Sequence, residues 1–216
     1  MTIVNTVNCV GFMGAGIALE YSRRYPEMNQ EYIKKCKNNE IMIGELFIYK
    51  KSSPWILNFP TKMHYKDQSS INIIQKGLQR FIDIYKDEGI QSIAFPQLGS
   101  SLGGLDWEEV HNVMLKYLEQ LTDIEIEIYE FDPGAKDELF ESLIELIKDF
   151  SIADYKKYLN MNEKVANQVK QSLGRNICSM RDFEHVKGIG DETLKRLYKP
   201  HKINNYQERL DIEDVD

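Results

Sequence analysis

Cysteine is scarce in this chain of 216 residues. There are three, Cys9, Cys36 and Cys178, odd in number and far apart. That points away from a disulfide framework and toward free thiols in a reducing compartment. No CxxC or Cys/His spacing suggests zinc, so neither a metal nor a cofactor is expected. Basic residues are outnumbered, 27 Lys and Arg against 34 Asp and Glu, for a net charge of −7. This argues against a protein that holds nucleic acid along its whole surface, and leaves room for a local basic patch. No apolar run approaches ~18 residues, and the N-terminus lacks a basic-then-apolar segment. The expectation is a cytoplasmic protein without a membrane partner. Internal repeats, low-complexity stretches, a Ser-His-Asp constellation and carboxylate pairs at catalytic spacing are also missing. What is present, 42% hydrophobic and 28% charged residues, is ordinary for a soluble globular chain. The length fits one medium domain with a smaller appendage.

Periodicity divides the chain in two. Residues 2–7, 45–50, 55–59, 91–95 and 124–131 read as strands, the last alternating apolar and charged residues. Between them, 15–24, 27–38, 70–87 and 107–121 carry apolar residues at helical spacing; Pro26 stops the first helix and Asp106 caps the last. Strands alternating with helices mean a layered α/β sheet. The alternation ends at Asp132-Pro133-Gly134, a turn and domain boundary, so the expected domains are 1–133 and 134–216. The second reads as helical throughout, with helices near 136–149, 151–159, 162–173, 179–186 and 191–198.

Two glycine-rich turns each follow a strand and open a helix. The first holds Gly11, Gly14 and Gly16; the second holds Gly99, Gly103 and Gly104, with Ser100 and Ser101 able to donate to phosphate. Such turns present bare N–H groups to an anion. Either alone is as easily a packing turn or a surface connection, and the first lacks the acidic strand end of a dinucleotide fold. Two at neighbouring strand ends suggest a pyrophosphate gripped from both sides. Asn8 ends the first strand, where its amide can bind ribose hydroxyls or cap the loop; Asn5 faces the other way and reads as structural. Lys62 and His64 follow Pro60 on a segment placed after the third strand. They are either ordinary surface residues or, beside a ligand, a nucleophilic or electrostatic amine and a base-contacting imidazole.

The segments VNTVNCVGFMGAGIALEY, GELFIYK, NFPTKMHY and PQLGSSLGGLDWEEV together resemble the macrodomain family, which binds ADP-ribose. The resemblance spans residues 1 to about 131. Within the family it is nearest the DarG type, antitoxins that remove ADP-ribose from DNA marked by the toxin DarT. A sister branch, the terminal ADP-ribose protein glycohydrolase, shares the lysine but carries an aspartate in the second glycine loop, where this chain reads Gly103-Gly104. The resemblance implies a three-layer α/β/α fold around a mixed sheet. It implies that Lys62 is catalytic and that Asn8 contacts the distal ribose. It further implies that Gly11, Met13, Gly14, Ala15, Gly16, Gly99, Ser100, Ser101, Leu102, Gly103 and Gly104 grip the pyrophosphate, with His64 near the modified base. Family members open with an extra strand whose Gly-Asp motif binds the adenine amino group. This chain starts at the family's second strand, so the implied sheet either lacks the first or has another element in its place, and Tyr129 and Phe131 either stack on a base or pack in the core.

Residues 182–198, DFEHVKGIGDETLKRLY, resemble a helix-hairpin-helix with a small core of Val186, Ile189, Leu194 and Leu197. Lys187, Gly188, Gly190 and Lys195 are its DNA-binding candidates. Arg196, Lys199 and Lys202 add to a locally basic stretch, and the terminus DIEDVD reads as a solvated acidic tail. The alternative is a hairpin that only packs. Three functions are compatible with these features. One is a hydrolase of the N-glycosidic bond between ADP-ribose and a DNA base, with ADP-ribose and ADP-ribosylated DNA as ligands and a DarT-like toxin as candidate partner. The second is a non-catalytic ADP-ribose reader. The third is an interaction protein that neutralises a toxin through its helical region.

Overall fold

The computed structural model describes residues 1–173 and 177–198. The chain divides into two compact units, Met1–Asp132 and Pro133–Asp216.

In the first unit, β1 (Thr2–Asn8) leads to α1 (Gly16–Arg24) and α2 (Pro26–Lys37). Pro26 ends one helix and also opens the next, since it stands at the first position of α2, where its missing N–H costs nothing. Then follow β2 (Phe47–Tyr49), β3 (Trp55–Lys62), α3 (Ile71–Ile84), β4 (Ser92–Phe95), α4 (Trp107–Leu118) and β5 (Glu125–Ile128). The sheet order is β2-β3-β1-β4-β5. Only β2 runs antiparallel to its neighbour; β3, β1, β4 and β5 are mutually parallel. The sheet is mixed and layered, as expected. Alternation along the central strands sends successive side chains to opposite faces. Val4, Leu57 and Phe59 pack with Ile74, Leu78, Phe81, Val110 and Met114 from α3 and α4. Val7 and Ile56 pack on the other face with Met28, Tyr32 and Cys36 from α2. Two cores on two faces make the three layers.

Two strands depart from the expected C-terminal limit by three residues. β5 stops at Ile128 rather than at residue 131. β3 continues through Pro60 to Lys62, so Lys62 is the last residue of a strand and not part of an irregular segment. Pairing with β2 reaches only Asn58; beyond it β3 has one neighbour, the position where a strand tolerates proline.

The second unit contains, among its described residues, α5 (Glu138–Ile147), α6 (Ile152–Leu159), α7 (Glu163–Leu173), α8 (Met180–Glu184) and α9 (Asp191–Leu197). It has a separate core that includes Phe140, Ile147, Phe150, Tyr155, Val169, Phe183, Ile189, Leu194 and Leu197, with Val186 packed against it. Asp137 caps α5 by accepting from the Phe140 N–H at 2.9 Å and ties down α8 by accepting from the Met180 N–H at 2.8 Å. No helix among the described residues is long and apolar enough to cross a membrane.

Candidate functional site

Because β3, β1, β4 and β5 are parallel, their C-terminal ends share one edge, where ligands of open α/β sheets sit. Asn8 and Lys62 end adjacent strands and are paired in register. Val7 faces Pro60 and Asn8 faces Lys62, so Thr61 is an extra residue, a bulge. Bulges re-aim the side chain that follows them. The Cys9 N–H donates to the Met63 carbonyl at 3.0 Å, which carries the pairing past the bulge.

The first glycine loop is shaped from within. The Asn8 side-chain oxygen accepts from the Val10 N–H at 3.0 Å and the Phe12 N–H at 3.4 Å, and its Nδ2 donates to the Phe12 carbonyl at 2.6 Å. Of the two roles open to Asn8, the structure displays the loop cap. Gly11 adopts φ +78°, and a Cβ there would meet Ile33 Cα and Cys36 Cβ at 3.4 Å, so the loop lies directly on α2. Met13 is buried beneath the loop, while Gly14, Ala15 and Gly16 are exposed at the start of α1. The Met13 side chain therefore anchors rather than lines.

Tyr32, fully buried on α2, donates its hydroxyl to the Asn8 carbonyl at 2.6 Å and approaches the Asn8 side-chain oxygen at 3.2 Å. Burial, with the neighbouring Cys36, holds the phenol well above its ordinary range, so it remains a donor. No motif in the sequence marked Tyr32. Tyr32→Phe is expected to cost about 1–3 kcal/mol through the abandoned acceptor, as read by urea unfolding. The Cys9 thiol is pushed up to about 11 by burial, with Cys36 beside it. It is protonated at neutral pH and no nucleophile.

The second loop leaves β4 and runs through one 3-10 turn, Ser101–Gly103, to Gly104 at φ +80°. The Ser69 N–H donates to the Gly103 carbonyl at 2.9 Å. A Cβ on Gly103 would fall 2.7 Å from Ser69 Oγ. Ser69 is thus the floor of this loop, and nothing local in the sequence singled it out. The hydroxyls of Ser69 and Ser100 are buried without a hydrogen-bond partner.

The two loops meet at Lys62. Its Nζ donates to the Leu102 carbonyl at 2.9 Å, and the Leu102 side chain reaches across to Gly16, where a Cβ would stand 3.3 Å from Leu102 Cδ1. His64 sits in a tight turn: its N–H donates to the Asp67 carboxylate at 2.9 Å and its Nδ1 accepts from the Lys66 N–H at 3.2 Å. In the neutral ring the proton is then on Nε2. Lys62, His64 and both glycine loops are brought together on one edge. Tyr129 and Phe131 are 58% and 68% exposed, so core packing does not explain them. No group of three or more His, Cys, Asp or Glu suited to a metal occurs among the described residues.

Of the DNA-binding candidates of the second unit, Lys187, Gly188 and Gly190 fall on one turn and are exposed, whereas Lys195 lies on α9. Lys195 is held by Asp191 at 2.9 Å and Glu192 at 2.8 Å, and Arg196 donates to the Asn160 carbonyl. The charge of Lys195 is thus engaged within the unit, while Lys187 stands exposed. Lys199, Lys202 and the acidic terminus lie outside the described residues.

Comparison with known proteins adds to this geometry. Residues 4–114 match the family model of the Macro domain. A Mycobacterium tuberculosis protein named DNA ADP-ribosyl glycohydrolase is 43% identical over 138 residues, 62% of this chain and 39% of that protein. The matched segment is thus well under half the length of the relative. Among solved structures, the macrodomain of Mycobacterium tuberculosis DarG superposes with TM-score 0.59 at 43% identity, covering 61% of this chain and 89% of that one. Thermosipho africanus DarTG in complex with ADP-ribose gives 0.58 at 36% identity, covering 64% and 40%.

Proposed function

Since the chain belongs to the macrodomain family, we propose that its residues 1–133 bind ADP-ribose and hydrolyse the bond joining it to a base in DNA. The observation that carries this reading is the amine of Lys62, tied to the second glycine loop at 2.9 Å and in register with the residue that opens the first. The names of the relatives support the chemistry, and ADP-ribose in the Thermosipho africanus DarTG structure supports the ligand. A diphosphate between the loops would take N–H groups from both and could fill the unmet hydrogen-bonding capacity of Ser100. Asn8 acts by fixing the shape of the first loop.

Hydrolysis breaks the bond between the anomeric carbon and the base nitrogen. The bonding pair leaves with the base, water supplies the new C–O bond, and a proton from that water ends on the base. An ammonium beside a carbon gaining positive charge is unfavourable there, so a charged Lys62 helps through the negative charge growing on the departing base. A neutral Lys62 would instead attack the carbon as the base leaves with the bonding pair and takes the amine's proton. Water would then cleave the new lysyl C–N bond, giving ADP-ribose and restoring the amine. With its Nδ1 accepting from the Lys66 N–H, His64 would offer Nε2–H to the same base. The residues 134–216 form the proposed second domain, and a DarT-like toxin and ADP-ribosylated DNA are the proposed partners.

The test is turnover. Incubated with labelled ADP-ribosylated oligonucleotide, the protein is expected to release free ADP-ribose over many cycles. Binding that protects the label and releases nothing would identify a reader instead.

A further inference from the structure

Beside Lys62 lies a feature that diphosphate binding does not use. Phe12, on the first loop, is 52% exposed, and Tyr65, three residues past Lys62, is 43% exposed. Their rings stand 4.6 Å apart between centroids. The His64 ring follows at 4.2 Å from Tyr65, tilted by 32°, and Lys66 Nζ lies 5.7 Å from the Tyr65 centroid. The three rings come from two segments that the Cys9–Met63 hydrogen bond holds together. The Phe12 ring also fills the space over Gly14, where a Cβ would come within 2.2 Å of it. Two large aromatic side chains half open to water at the rim of a site are costly unless something covers them.

We infer that Phe12, His64 and Tyr65 form a stacking platform for the bases of a single DNA strand flanking the modified nucleotide. The inference rests on the function proposed above and assigns the residues that would hold the strand. Three observations select this occupant. The platform is continuous with the Lys62 end of the site, where the linkage to the base must lie. Lys62 and Lys66 bracket it with positive charge in a chain of net charge −7, complementary to a phosphodiester. The one acid of the turn, Asp67, is engaged by the His64 N–H. Finally, an open ring presents a π-face, and only an unpaired or extruded base has a free π-face to meet it. Paired duplex bases are already covered on both sides.

The test compares two substrates, an ADP-ribosylated single-stranded oligonucleotide of roughly eight nucleotides and an ADP-ribosylated nucleoside. Wild type is expected to favour the oligonucleotide in kcat/KM. Phe12→Ala and Tyr65→Ala are expected to reduce the ratio of the two values by about 10- to 100-fold, mainly through KM, while Tyr65→Phe and Tyr65→Trp retain it within a few-fold. If the alanine variants lower both substrates equally, the rings only hold the loops and the inference is overturned; an unaltered ratio overturns it too. Binding of unmodified fluorescent oligonucleotide separates this question from catalysis. A preference for single strand over duplex that is lost in Tyr65→Ala supports the platform even if neither substrate is hydrolysed, an outcome that would sink only the enzymatic reading. Equal binding of both forms counts against the platform.

Discussion

Lys62→Ala is expected to slow ADP-ribose release about 10²- to 10⁴-fold while changing the affinity for free ADP-ribose by no more than a few-fold. The geometry explains the split. On the proposed reading the diphosphate is gripped by backbone of the loops, which Lys62 does not build; its bond to them is the donation to the Leu102 carbonyl. An ammonium has three hydrogens, so that bond leaves two for the reacting end of the ligand. Removing the amine therefore removes transition-state help and spares most ground-state binding. Lys62→Arg then distinguishes the two roles of the amine. Guanidinium keeps the charge but does not become a nucleophile at any accessible pH. Substantial residual rate in Lys62→Arg means that the charge stabilises the leaving base, whereas a rate as low as that of alanine means that nitrogen attacks carbon. Single-turnover release from an ADP-ribosylated oligonucleotide, with calorimetry on ADP-ribose, reads both quantities.

A loss of stability is also expected at Gly77, in the helix that covers β3. It lies in α3 with Phe59 of β3 packed onto it, and an added Cβ would stand 2.1 Å from Phe59 Cζ. Two effects oppose each other in Gly77→Ala. Helix propensity favours alanine by about 1 kcal/mol. Overpacking costs typically about 1–3 kcal/mol and occasionally more. Phe59 is wholly buried among Ile74, Leu78 and Phe81, so the far edge of its ring, which the new Cβ would meet, cannot swing into solvent. At so close an approach overpacking wins, and a net loss of about 1–2 kcal/mol is expected in urea unfolding of the first unit. The same variant tests the positioning of the site, because Phe59 precedes Lys62 by three residues on one strand. Its rate of ADP-ribose release should fall in step with any loosening of β3. A variant as stable as wild type would show that α3 and β3 do not pack as described.

The layered fold was legible because alternation and helical spacing are local. The stripe of α3, the caps at Asp106 and the alternating strand near 125 all follow from residues within a turn or two of one another. Both glycine loops were legible for the same reason. The end of β3 was not. Pro60 reads as a strand terminator, and only the short reach of β2, a long-range fact, explains why the strand continues to Lys62. The bulge at Thr61 is likewise a property of pairing with β1. Asn8 was recognised, but its role depended on which partners lay near, and the loop took them. Tyr32, Ser69 and the Phe12–Tyr65 pair carry no motif; each acts across 24 or more residues of sequence. In the second unit the hairpin was visible in the sequence, but the pairing of Lys195 with Asp191 and Glu192 tempers its basic character.

The most direct measurement is a structure of the complex with ADP-ribose. The account predicts the diphosphate against the backbone of residues 11–16 and 99–104, with the anomeric carbon of the distal ribose about 3–3.5 Å from Lys62 Nζ. A diphosphate bound elsewhere, or a distal ribose turned away from that nitrogen, would contradict it.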